Sequence, residues 1–106
     1  MGLRIYGEAL AMCAEMKLLL VGVARHDRDL ARQIRRAACS VVLNIAEGEH
    51  SSDGHRRERF RTARGSAAEV RAGVDAAVAF GLIAPPGEVE RARLDMLVGT
   101  LSKLAT

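Results

Sequence analysis

Tryptophan is absent from this chain, and Tyr6, Phe60 and Phe80 are its only aromatic residues. A core must therefore come from Leu, Val, Ile, Met and Ala, a set that suits close helix packing because Ala and Leu are strong helix formers. Strand-favouring residues are too few for a β fold. The two cysteines, Cys13 and Cys39, lie inside apolar stretches. They read as small buried hydrophobes of a reducing compartment, close together but unbonded. Glu15 and Lys17 interrupt the only candidate for the ~20-residue apolar run that a membrane span needs. The segment Met16–Ala24 is too short, and too far inside the chain, for a secretion signal. A cytoplasmic protein is expected.

Catalytic signatures are missing too. Ser40, Ser66 and the three histidines form no readable nucleophile–base pair, and no glycine-rich phosphate loop follows a strand. His50 and His55 flank Asp53 in a polar turn, but no third soft ligand is near in sequence, so neither a metal site nor a cofactor is expected. An enzyme is not expected.

What the chain does hold is helical pattern. Its 106 residues, 49% of them apolar, fit one domain over 1–106. Three polar or glycine-rich breaks, at His26–Asp29, Gly48–Gly54 and Gly81–Gly87, divide it into four segments. Helices are expected over about Leu3–Ala24, Arg28–Glu49, Asp53–Phe80 and Pro86–Leu104. Asp27 caps the second, Ser52 or Asp53 the third, and Pro85 or Pro86 opens the fourth. Apolar residues recur at steps of three and four: Leu30, Ile34, Ala37, Ala38, Val41 and Ile45; then Phe60, Ala63, Ala67, Val70, Val74 and Ala77; then Leu94, Leu97, Val98, Leu101 and Leu104. With short connections, this predicts an all-α, antiparallel up-down-up-down four-helix bundle.

The first segment is apolar nearly all round, with only Arg4, Glu8, Glu15 and Lys17 charged. Leu10, Cys13, Met16, Leu20 and Val23 fit one inner face. Met12, Leu19 and their neighbours then form a second face with no partner inside one bundle, which predicts a homo-oligomer interface there.

Charge is uneven. Net charge is +3, but residues 25–64 hold ten Arg against six acids. Arg28, Arg32 and Arg35 recur along one segment, and Arg57, Arg61 and Arg64 repeat the spacing on the next. Arginine's planar fork suits phosphates, so both stripes are candidate nucleic-acid contacts. With the second turn centred near residue 52, Arg36 falls level with residue 68, one position from Glu69; Glu47 falls level with Arg57, and Asn44 near Phe60. A buried Arg36–Glu69 pair is expected.

The stretch Gln33–Gly48 reads QIRRAACSVVLNIAEG, Ala63–Glu69 reads ARGSAAE and Phe80–Ile83 reads FGLI. Together these resemble the four-helix-bundle proteins encoded in 23S rRNA intervening sequences. The residues that carry the resemblance include Arg36, Asn44, Glu47 and Glu69. Val42 stands where that family usually has proline, and Tyr6 near its usual tryptophan. The resemblance implies a homopentamer without known catalysis. It also implies a shape related to accessory proteins of diversity-generating retroelements, which bind nucleic acid and a reverse transcriptase. The expected partners are thus other copies of the chain, RNA or DNA, or a reverse transcriptase; no membrane is expected.

Overall fold

The computed structural model describes residues 2–106, with side chains from Arg4 onward. Four helices follow one another: α1 (Gly2–Ala24), α2 (Arg28–Glu49), α3 (Asp53–Ala79) and α4 (Glu88–Leu104). Consecutive helices pack side by side, and α1 closes the ring against α4. The all-α bundle read from the sequence is the fold.

Local chemistry sets the breaks. The Asp27 side chain accepts the Leu30 N–H at 2.9 Å and starts α2, because the first N–H groups of a helix lack internal acceptors. Ser52 occupies the N-cap position of α3 without making a side-chain cap bond. At the end of α3, Gly81 takes φ 74°. Leu82 N–H then reaches the Ala77 carbonyl and Gly81 N–H the Val78 carbonyl, both at 2.9 Å. That is a Schellman closure, which needs a residue tolerant of positive φ. The fourth helix starts later than expected, at Glu88 with Gly87 as N-cap. Pro85 and Pro86 belong to the loop, where the fixed φ and missing N–H of proline cost nothing.

The core has the composition expected, and on α2 and α3 the residues expected. Ile34, Ala37, Ala38, Val41 and Ile45 of α2 meet Phe60, Ala63, Ala67, Val70 and Val74 of α3. Leu94, Leu97 and Leu101 complete it from α4, with Val98 and Leu104 half-buried beside them. On α1 the inner stripe is Ile5, Ala9, Met12, Met16 and Val23. This corrects the expected rotation of α1: Met12 is 0% exposed, whereas Leu10 is 45% exposed.

Glycines let α2 and α3 approach closely. A Cβ at Gly73 would stand 2.6 Å from Ile34 Cγ1, and one at Gly48 would stand 2.9 Å from the Phe60 ring. These pairs, with the Ser40–Ser66 contact at 2.7 Å, place the helices about two residues away from the register expected for a turn at residue 52. Helical side chains lean toward their own N-terminus, so each covers the surface about one residue behind its Cα. In an antiparallel pair the two leans add.

Candidate functional site: the outer faces

Three surfaces hold the chemistry. The first is the outer face of α1. Gly7, Leu10, Ala14, Leu18 and Val21 recur at steps of three and four and are all exposed, Leu18 at 80% and Val21 at 52%. Lys17 is the only charge among them. Glu8 and Glu15 do not lie on this face: they turn toward α4, where both carboxylates bind Arg93. The Arg93 Nε donates to both Glu15 oxygens at 3.0 Å, and its Nη1 to Glu8. The hydrogen bonds to Glu15 do most to push the Arg93 guanidinium above its usual range. All three side chains are partly buried. With two of the four charges of α1 turned inward, charge position alone misleads about which side faces water. Met12 and Leu19 are therefore not the outward residues. Met12 is core, and Leu19 is half-buried against both apolar clusters. The triad had a signal in the sequence: two acids seven residues apart, two turns along one side of an otherwise apolar helix.

The second surface is the pair of arginine stripes. Arg28, Arg32 and Arg35 are all exposed, as are Arg57, Arg61 and Arg64. They do not converge. Arg28 and Arg35 each precede by three a buried residue on the α1 side of α2, Ala31 and Ala38, and the Cys13 thiol of α1 lies 3.7 Å from the Ala38 carbonyl. Arg61 instead reaches past the end of α4 to the Ala105 carbonyl at 3.2 Å, and Arg57 and Arg64 share its flank. One stripe borders α1 and the other borders α4. Arg32 pairs with Asp29 at 3.7 Å, and Arg61 pairs with Glu58 at 2.6 Å. Arg28, Arg35, Arg57 and Arg64 enter no ion pair among the described residues.

The third is the α2–α3 groove, where most of the motif residues lie. Asn44 Nδ2 donates to the Ser40 carbonyl at 2.9 Å and to Ser40 Oγ at 3.1 Å, and Ser40 Oγ meets Ser66 Oγ. Asn44 thus serves this hydroxyl pair, and it is Gly48 that abuts Phe60. Glu47 pairs with Arg59 at 3.7 Å, not with Arg57, and both are exposed. The Arg36–Glu69 pair is absent. Both residues are exposed, and Glu69 instead borders a shallow groove with Gln33, Leu30 and Ala72. Arg36 lies two residues past the inward-facing Ile34, which puts it on the outer side of the helix.

Cys13 and Cys39 are both free thiols. Burial first, and then the nearby Cys39, push the Cys13 thiol up from its ordinary value. Cys39 is exposed, which corrects the expectation that both are buried. Among the described residues no three His, Cys, Asp or Glu side chains gather to hold a metal ion, and no helix is long and apolar enough to cross a membrane.

A tight bundle of small aliphatic residues, with an apolar strip and arginine rows on its outside, defines a small helical protein built around its surfaces. The chain belongs to the family of 23S rRNA-intervening sequence proteins, whose pattern it matches over residues 1–102. That is not a known enzyme family. No curated protein and no solved structure matches the chain.

Proposed function

We propose that this protein is a non-enzymatic, cytoplasmic homo-oligomer, a homopentamer as the resemblance implies, that binds RNA or DNA through its arginine rows. The observation that carries the reading is the outer face of α1. Leu10, Leu18 and Val21 stay exposed along a strip with one charge, and contiguous apolar surface of this kind marks association. A ring of copies closes such contacts without leaving open ends. Each added copy also repeats the two arginine rows, so weak phosphate contacts sum into useful avidity. With few aromatics to stack on bases, binding is electrostatic and insensitive to sequence.

Light scattering at micromolar concentration tests the assembly. The wild type should have several times the mass of one chain, and Leu18→Glu should reduce it to one chain with helix content unchanged. A monomeric wild type refutes the assembly. Fluorescence anisotropy with single-stranded and duplex oligonucleotides tests the second half. Affinity should fall steeply from low to physiological salt, and Arg57→Ala with Arg64→Ala should weaken it more than Arg61→Ala, whose guanidinium is already engaged. Absence of binding at low salt removes nucleic acid and leaves an adaptor that docks a reverse transcriptase, or a scaffold.

A further inference from the structure

The seam between α1 and α4 opens at the end where α3 begins. Ile5 of α1 and Met96, Thr100 and Leu104 of α4 line a cleft of about 420 Å³ there. Arg4 and Glu8 of α1 and Arg56 from the first turn of α3 complete its wall. The size falls within the ~300–1,000 Å³ typical of small-molecule sites.

Its charges are not equivalent. Glu8 shares the single charge of Arg93 with Glu15, so the triad keeps one net negative charge at the wall, which the two arginines of the cleft outweigh. Arg4 and Arg56 enter no ion pair among the described residues. Arg56 is held in place by the Phe60 ring, 5.0 Å from its guanidinium carbon, a cation–π contact that leaves its N–H groups free to donate. The cleft therefore has an apolar floor, a hydroxyl on Thr100 and two uncommitted guanidinium groups.

We propose that this cleft binds a single-chain aliphatic carboxylate, with the chain along Ile5, Met96 and Leu104 and the carboxylate between Arg4 and Arg56. Guanidinium groups match carboxylate oxygens in geometry and charge. The volume suits one chain on the order of ten carbons, counting each methylene at about the ~30 Å³ of a water molecule. It does not suit a two-chain lipid. The free acid is thus the source of the anionic head, not a bilayer.

The test is calorimetric titration of the full chain with decanoate, with decanol and decyltrimethylammonium as controls. Decanoate should bind most tightly, and octanoate about tenfold more weakly, the value of two buried methylenes. Arg4→Ala with Arg56→Ala should weaken decanoate about ten- to a hundredfold and bring it level with decanol. Both residues are at the surface, so the fold should persist. Thr100→Trp, which fills the cleft, should abolish binding. The proposal is overturned if decanoate does not bind, if the ammonium binds as well, or if either variant binds as the wild type does. Equal or stronger association with anionic phospholipid vesicles also overturns it, in favour of a lipid surface. A change of assembly mass in Thr100→Trp overturns it in favour of a second copy as the occupant.

Discussion

The α2–α3 pair and the α1–α4 pair are both antiparallel, yet they are held together differently. Between α2 and α3, Ala, Gly and Ser stand among the larger aliphatic residues and Phe60 at the points of closest approach. Gly73 admits Ile34, Gly48 admits Phe60, and the polar groups are absorbed by the Ser40–Ser66–Asn44 cluster. Between α1 and α4 the side chains are longer, an arginine is shared by two carboxylates, and a cleft remains. Small residues fix two backbones at one distance and one rotation; long ones tolerate several. The apolar strip and the cleft lie with the other pair, while the arginine rows stand on the outer flanks of α2 and α3.

The sharpest way to break this contrast is a side chain at a glycine. Gly73→Val places Cβ within 2.6 Å of the buried Ile34 Cγ1 and should cost about 1–3 kcal/mol by overpacking. Urea unfolding would show it as a lower midpoint at constant slope. Gly65 of the same helix has nothing within 4 Å of an added Cβ. Gly65→Ala should therefore stabilise by about 0.5–1 kcal/mol, the ordinary helix gain. If both substitutions acted alike, close approach would not be what distinguishes α2–α3.

On the other pair the corresponding test is Arg93→Ala. It leaves Glu8 and Glu15 facing each other, half-covered and without a cation. A fully buried pair costs about 3–5 kcal/mol to break and an exposed one about 0–1, so this partly covered triad should cost about 1–3. Arg32→Ala, which removes only an exposed pair with Asp29, should stay within about 0.5 kcal/mol. Equal losses would mean that the triad is no more than a surface contact. Glu69→Ala and Arg36→Ala belong with the exposed case and should each stay within about 0.5 kcal/mol, the reverse of what the sequence suggests.

That reversal marks where the sequence stops being legible. On α2 and α3 a polar face contrasts with an apolar one, so the inner residues from Ile34 to Ala77 could be assigned from spacing alone. Sixteen apolar residues among the 22 from Leu3 to Ala24 give no such contrast, so spacing points inward at Leu10 and Cys13 where the helix in fact buries Met12. Register failed for another reason. A turn centre counts Cα levels, whereas contacts form where side chains reach, about one residue behind on each helix. This moved Glu47 from Arg57 to Arg59, whereas Arg36 lacks Glu69 because it stands on the outer side of α2. The arginine rows were legible as rows, but not as rows on two different flanks, because that depends on which neighbour each helix turns toward.

The smallest effect expected lies at the two thiols, which span the α1–α2 contact between the contrasting pairs. Cys13 is half-buried with its S–H toward the Ala38 carbonyl, a weak donor contact, whereas Cys39 is exposed. The thiolate is the reactive form, and the Cys13 thiol is pushed up by burial and then by Cys39. Iodoacetamide at neutral pH should therefore modify Cys39 first, with intact-mass analysis showing one adduct before two, and without measurable loss of stability. The pH dependence has a fixed sign. Below roughly pH 8 the thiol is protonated in both folded and unfolded chains, and Cys13 adds no pH dependence. Above that the unfolded chain ionises first and binds fewer protons, so stability falls as pH rises. Cys13→Ala should remove that alkaline loss, while Cys39→Ala should reduce it only slightly, through the weaker influence of Cys39 on Cys13. Equal alkylation rates at the two positions would place Cys13 in water and α1 farther from α2 than its packing on Ala38 requires.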